Sequence, residues 1–282
     1  MKLAANGRRK PGRPADTDST DTRVRIIECA RDRFATDGFE GTTNKEIAAL
    51  AHVSSAALYH YFPSKAEIYI AVCEAITETL TRATPLIFTG LACAVAFRSR
   101  LWNIGAEGQY ILGAVAASGV ALMADKTTGG WIVVPVILAG VLGGMLWAGI
   151  TALLRDRFNA NEILVSLMMV YVAVQVLGYL VYGPWKDPNG YNFPQTQNFE
   201  AATRIPKLFA GSRMSIGVLF ALVGVGAVWV FLFRTRAGFA QQVGGLAPAA
   251  ARYAGFSSRQ ALWTALLVSG GLAGLAGGLE VA

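Results

Sequence analysis

The chain is short of charge, cysteine and histidine. Only 15% of its 282 residues are charged, where soluble domains carry about 25%. Three cysteines, Cys29, Cys73 and Cys93, are too few and too scattered for a disulfide scaffold or a zinc site. His52 and His60 are the only histidines, so no Cys/His metal cluster is expected. No Gly-x-x-x-x-Gly-Lys-Ser/Thr phosphate loop occurs, so the chain is not expected to hydrolyse ATP itself. No Ser/His/Asp or paired-carboxylate arrangement stands out, and no catalytic or metal-binding residue is nominated. The basic start, residues 1–14, has no apolar stretch behind it and is not read as a secretory signal.

What is there falls into two unlike halves. Residues 1–83 hold 12 of the 25 Lys/Arg and 11 of the 18 Asp/Glu, whereas residues 84–282 hold 13 and 7 over 199 positions. The front suits water and the back suits lipid. The expected fold is all-α: a small helix-turn-helix domain followed by a polytopic transmembrane bundle of about 5–6 spans. Residues 1–19 are read as a flexible basic arm, 20–82 as the small domain and 83–282 as the membrane domain.

In the front half, Arg8, Arg9, Lys10 and Arg13 lie among glycine and proline. They read either as a solvated tail or as an arm that tracks phosphates. Asp21 can cap a helix from residue 22 to about 37, with Ile26, Ile27, Ala30 and Phe34 on one face and Gly38 as its stop. Thr43-Asn44-Lys45-Glu46 is a capping box opening a second, short helix. His52 and Val53 make a tight turn, with His52 where a left-handed residue is needed. Ser54 can cap a third helix over 55–61, and Pro63 breaks it. Ser64-Lys65-Ala66-Glu67 opens a fourth helix to about residue 80. Two short helices around a three-residue turn make a helix-turn-helix.

Thr42-Thr43-x-x-Glu46-Ile47-Ala48, then Val53-Ser54, then Leu58-Tyr59-His60-Tyr61-Phe62-Pro63-Ser64-Lys65 resembles the DNA-binding domain of TetR/AcrR regulators. The resemblance covers residues 20–80. It implies that residues 55–61 enter a major groove, with Thr43, Ser54, Ser55, Tyr59, His60 and Lys65 as DNA-binding candidates. Core packing is the alternative for Tyr59 and Tyr61. His52, Ser55 and Ala57 depart from the common pattern, and the last two remove a charge and a hydroxyl from the groove-facing surface. Such regulators carry a soluble dimerising domain that is not expected here after about residue 80.

In the back half, apolar runs mark candidate spans at 109–124, 131–154, 163–182, 214–233 and 261–281. An earlier run, 85–97, has thirteen residues and reads as a truncated span or a re-entrant piece. Gly140/Gly144 and Gly270/Gly274/Gly278 stand four apart, a spacing that lets helices pack closely in lipid. Arg98, Arg100, Arg155, Arg157, Arg234, Arg236, Arg252 and Arg259 mark the cytoplasmic loops. The loop around Asp125 and Lys126 and the segment 183–213 would then lie outside. Asn103, Glu107 and Gln109 are polar groups beside apolar stretches, so they line a pathway or pair internally.

Three ordered motifs resemble the branched-chain amino acid/sugar/nucleoside class of ABC transporter permeases. They are Ala83-Thr84-Pro85-Leu86-Ile87-Phe88-Thr89-Gly90 with Trp102-Asn103-Ile104-Gly105-Ala106-Glu107-Gly108-Gln109; Asn159-Ala160-Asn161-Glu162-Ile163 with Ser166-Leu167-Met168; and Gly245-x-x-x-x-Ala250-x-x-Tyr253-Ala254-Gly255. The nucleoside or simple-sugar importers are closest. The resemblance implies a multi-pass protein of the bacterial inner membrane, with further spans beyond both ends of 83–282. Its implied partners are the lipid bilayer, a separate ATP-binding cassette ATPase, a second permease subunit and a solute-binding protein. No cofactor is implied beyond the ATP that the separate ATPase hydrolyses. Gly245, Ala250, Tyr253 and Gly255 would form the ATPase-coupling loop. Asn103, Glu107 and Gln109 are the candidates for a substrate pathway.

The sequence therefore offers a permease carrying a regulator domain, a membrane-tethered regulator that binds operator DNA, or a fusion in which neither activity is complete. If 85–97 crosses the membrane with Arg98 in the cytoplasm, residues 1–83 lie outside, away from DNA.

Overall fold

A computed structural model describes residues 19–124, 129–188, 195–203, 205 and 215–282. The basic arm, the Asp125–Lys126 loop and, within 183–213, residues 189–194, 204 and 206–213 lie outside the described residues. The chain divides into two compact units, Met1–Glu78 and Thr79–Ala282.

In the first unit, α1 (Ser19–Gly41) starts earlier than the spacing predicts. Asp21 therefore lies inside its first turn rather than at a cap. Gly38, with φ of 71°, breaks the helix where the sequence places its stop, and a short helical piece follows to Gly41. Helix α2 (Asn44–Leu50) has the full reciprocal cap: the Thr43 hydroxyl accepts from the Glu46 N–H at 3.3 Å, and the Glu46 carboxylate accepts from the Thr43 N–H at 2.9 Å. His52 takes φ of 53°, the left-handed turn residue between helices. Helix α3 (Ser55–Tyr61) is capped by Ser54, whose hydroxyl accepts from the Ala57 N–H at 3.1 Å. Ile26, Ala30, Ile47, Ala48, Leu58, Phe62, Ile68 and Val72 close one apolar core.

The fourth helix corrects the sequence reading. Helix α4 runs without interruption from Lys65 to Arg98, through Pro85. Residues 85–97 are thus neither a short separate span nor a re-entrant piece. Pro85 withdraws a single backbone donor, a loss that packed membrane helices tolerate. Phe88, Ala92, Val95 and Ala96 are buried at helical spacing. Phe88 packs with Ala221 and Ala276, and Val95 with Val228 and Leu232.

The second unit is a helical bundle. Its remaining elements are α5 (Ala106–Ala121), α6 (Val133–Phe158), α7 (Glu162–Tyr182), α8 (Gly217–Arg234), α9 (Arg236–Leu246), α10 (Pro248–Tyr253) and α11 (Ser258–Val281). Among the described residues, five helices are long and apolar enough to cross a membrane: α4, α6 with the preceding turn from Gly130, α7, α8 and α11. The span expected at 109–124 is instead α5, 16 residues or about 24 Å long.

Helices α5, α6 and α11 meet through glycine. A Cβ on Gly113 would lie 2.5 Å from the Gly274 Cα, one on Gly140 2.8 Å from the Gly278 Cα, and one on Gly144 2.6 Å from the Gly274 Cα. Backbone faces backbone, so these three helices approach as closely as helices can.

One of the sequence motifs turns out to be a joint. Asn159 ends α6 in the left-handed conformation, with φ of 50°, and the Asn161 side chain caps α7 by accepting from the Ile163 N–H at 3.0 Å. Arg155 reaches across this turn to Glu162 at 3.1 Å and to the Ala160 carbonyl at 3.2 Å.

Candidate functional site

The exposed surface of α3 is the candidate nucleic-acid face. Leu58 points into the core, while Ser55, Tyr59 and His60 are exposed. Tyr59 is 51% exposed, and its hydroxyl accepts from the Asn44 side-chain amide at 3.3 Å. That bond ties the tyrosine to the start of α2. Tyr61 is half-buried against the domain core. Thr43 and Ser54 are spent as helix caps. Lys65 stands over the Phe39 ring at 4.4 Å. The surface groups left to meet a duplex are Ser55, Tyr59 and His60, with the Lys65 ammonium held by its aromatic neighbour. The Thr43 N–H and then its hydroxyl, with a lesser contribution from Arg33, hold the Glu46 carboxyl below its ordinary range.

In the membrane unit the three polar pathway candidates separate. Asn103 and Gln109 are buried and form a closed ring of hydrogen bonds. Asn103 Nδ2 donates to Gln109 Oε1 at 3.0 Å, and Gln109 Nε2 donates to Asn103 Oδ1 at 3.0 Å. Asn103 Nδ2 also donates to Ser269 Oγ at 2.7 Å, fastening the start of α5 to α11. Glu107 is exposed in the first turn of α5, where a carboxylate suits the positive end of the helix. Gly105 and Gly108 of the same motif let α5 lie against α7: added Cβ atoms would meet Ser166 Cβ at 2.9 Å and Val170 Cα at 3.1 Å.

The coupling-loop candidates lie on α9 and α10. Gly245 is buried against the backbone at the end of α4, with an added Cβ 2.5 Å from the Arg98 carbonyl. Ala251 is buried and anchors α10. Ala250 is exposed, Tyr253 is 97% exposed, and Gly255 reverses the chain with φ of 82°. A small rigid helix thus holds an aromatic side chain out in solvent on the arginine-bearing side of the bundle.

The model of the family "Branched-chain amino acid transport system / permease component" matches residues 75–282. The chain belongs to this family. Residues 26–72 match the model "Bacterial regulatory proteins, tetR family", so the permease carries a TetR-type helix-turn-helix at its front. Over 219 residues the chain is 37% identical to the glucose ABC transporter permease protein TsgB13 of Haloferax volcanii, covering 73% of this chain and 57% of the relative. Over 208 residues it is 34% identical to the guanosine ABC transporter permease protein NupP of Bacillus subtilis, covering 73% and 59%. Over 86 residues it is 47% identical to the HTH-type transcriptional regulator RutR of Escherichia coli, covering 30% and 36%. The chain therefore spans under three fifths of the two permease relatives. No solved structure matches it.

Sequence reasoning missed three groups at this permease's polar joints. Ser269 completes the Asn103–Gln109 ring. Asp156 accepts from Arg259 at 2.8 Å and from the Trp263 indole at 3.2 Å, tying α6 to α11. Gln241 is fully buried and donates to Thr264 at 3.3 Å. Ser269 and Gln241 were visible as polar residues inside apolar runs, but only the fold supplies their partners.

Proposed function

We propose that residues 79–282 serve as the membrane-spanning part of an ABC importer for nucleosides or simple sugars in a bacterial inner membrane. A separate ATPase docks on α9–α10, beside a second permease subunit and a solute-binding protein. The observation that carries this reading is α10: a short helix anchored by Ala251, presenting Tyr253 almost wholly to solvent beside Arg252. The permease relatives named for glucose and guanosine support the solute class. In this reading Asn103 and Gln109 hold α5 in place, Glu107 stays available at its start, and the chain performs no catalysis of its own.

The experiment is uptake of radiolabelled guanosine and D-glucose by cells expressing the full chain with its ATPase and binding protein. Uptake above the background of cells lacking the chain is expected, and Tyr253→Asp is expected to abolish it while leaving the protein in the membrane. Uptake unaffected by Tyr253→Asp removes α10 as the coupling element.

A second reading, DNA binding by residues 19–78, is favoured by the exposed Ser55, Tyr59 and His60 on α3. Fluorescence anisotropy of the full chain in detergent with a labelled duplex library tests it. Binding that weakens with salt and with Tyr59→Ala supports this reading.

A further inference from the structure

The arginines on one side of the bundle fall into two groups. Arg155 is 3.1 Å from Glu162 and Arg259 is 2.8 Å from Asp156, so both are neutralised. Arg98, the last residue of α4, and Arg234, the last residue of α8, are exposed. Neither has a hydrogen bond or a carboxylate partner among the described residues. Each lies over an aromatic ring instead. Arg98 Cζ is 5.1 Å from the Phe233 centroid and Arg234 Cζ is 5.9 Å from that of Trp229, within cation–π reach. The two rings are neighbours, with centroids 6.2 Å apart. A chain of contacts thus gathers two guanidinium groups where the ends of α4 and α8 meet. The carbonyls there have other donors: the Thr235 hydroxyl donates to Phe231 at 2.6 Å and the Gln242 amide donates to Leu232. The guanidinium N–H groups are left for an acceptor from outside.

An apolar stripe leads up to these cations. Leu222, Val225, Trp229 and Phe233 recur on α8 at spacings of three and four, so they share a face. They are 63%, 43%, 52% and 49% exposed. Beside them Val228 and Leu232 are buried against Val95 of α4. A second exposed pair, Phe97 and Trp102, with ring centroids 5.3 Å apart, adjoins Arg98 in the chain. Tryptophan at the end of an apolar span marks the level of the headgroups, and basic sites between membrane helices at that level suit phospholipid phosphates. A free anion would use only the two charges, whereas a lipid also covers the stripe.

We propose that the joined ends of α4 and α8 bind the headgroup of one anionic phospholipid in the leaflet on the arginine-bearing side. Arg98 and Arg234 donate to its phosphodiester, and an acyl chain lies along Leu222, Val225 and Trp229. The site involves neither the solute nor the ATPase, so it stands or falls apart from the importer reading.

The test is native mass spectrometry of the full chain released from detergent, with phosphatidylglycerol, phosphatidylcholine or inorganic phosphate added. One phosphatidylglycerol is expected to bind at least fivefold more tightly than phosphatidylcholine. Arg98→Gln and Arg234→Gln are each expected to raise the phosphatidylglycerol Kd about fivefold, and the double variant about ten- to thirtyfold, while phosphatidylcholine changes less than about twofold. Arg157→Gln removes the same charge from the last turn of α6 and is expected to leave the Kd within about twofold of the parent. Arg98→Lys with Arg234→Lys keeps both charges and is expected to keep the preference for phosphatidylglycerol. The proposal is overturned if the two lipids bind alike, if the double glutamine variant still prefers phosphatidylglycerol, or if Arg157→Gln weakens binding as much as Arg98→Gln, the mark of a diffuse field. Displacement of the lipid by excess inorganic phosphate would also overturn it, in favour of a soluble anion. So would a lipid-free dimer that Trp229→Asp dissociates, which would give this face to a second copy of the chain.

Discussion

Replacing Gly274 by alanine puts a methyl group where two helices meet backbone to backbone. The new Cβ would touch the Gly140 carbonyl oxygen and lie 2.9 Å from the Gly144 Cα and 3.0 Å from its nitrogen. None of these atoms is a side-chain end that can swing away. Relief requires α6 and α11 to move apart, which also loosens the approach of Gly113 on α5. Overpacking of this kind costs about 1–3 kcal/mol. Alanine returns about 1 kcal/mol of helix propensity, so the net loss is about 0–2 kcal/mol. The control is Gly226→Ala on α8, where an added Cβ meets nothing within 4 Å. There only the propensity gain operates, and the variant is expected to be neutral or more stable. At about 2–4 °C per kcal/mol for a unit of this size, the overpacking cost should separate the two midpoints by about 2–12 °C in thermal unfolding of the full chain in detergent. Equal midpoints for the two variants would refute the idea that the glycines are required by close approach.

Asn103→Leu strands Gln109 and Ser269 without their partner, and a loss of about 1–3 kcal/mol is expected in the same unfolding assay; adding Gln109→Leu should then cost little more, because the pair is removed together. On α3, Tyr59→Ala and His60→Ala should leave the unfolding midpoint within about 0.5 kcal/mol of the parent, while any salt-sensitive duplex binding weakens and Lys65→Ala lowers the salt slope by about one if its ammonium reaches a phosphate. Because the Thr43 N–H and hydroxyl hold the Glu46 carboxyl below its ordinary range, the capping box contributes at neutral pH and is lost as pH falls through that lowered value. Amide exchange at the start of α2 should therefore speed up in acid, beyond its intrinsic pH dependence, in the parent and not in Glu46→Gln.

Local chemistry made the front domain legible. Thr43, Ser54 and His52 each act within three or four residues, so cap and turn geometry could be read from the sequence alone. The long α4 could not. Pro85 and the charge step near residue 83 read as a boundary, because the local signal for a break is strong there. What keeps the helix intact is packing of Phe88 against Ala221 and Ala276, residues more than 130 positions away. The polar site residues divide on the same principle. The burial of Asn103 and Gln109 could be anticipated from polar groups beside an apolar run, but Ser269 is 166 positions from Asn103. No spacing rule connects them.

Residues 79–98 of α4 thread the second unit. Thr81, Thr84 and Pro85 share a cavity with Gly217 at the start of α8 and with Leu279 and Glu280 at the end of α11. At the other end of α4, Arg98 lies over the Phe233 ring, and its carbonyl faces Gly245. Phe233 is at the end of α8, and the start of α11 carries Arg259. Residues 79–98 therefore run the full height of the bundle, about 30 Å for twenty residues, a bilayer's hydrocarbon thickness. If the arginines face the cytoplasm, residue 79 lies towards the outer face. Cys73, exposed in the first unit, reports the outcome once Cys29 and Cys93 are replaced. In intact spheroplasts a membrane-impermeant maleimide is expected to label it without lysis. The exposed face of α3 would then be kept from cytoplasmic DNA in the intact chain, whatever affinity for a duplex it has in detergent. Labelling only after lysis would reverse that conclusion, and it would require 85–97 to enter and leave the bundle on the arginine side, against the contacts that Thr84 and Pro85 make.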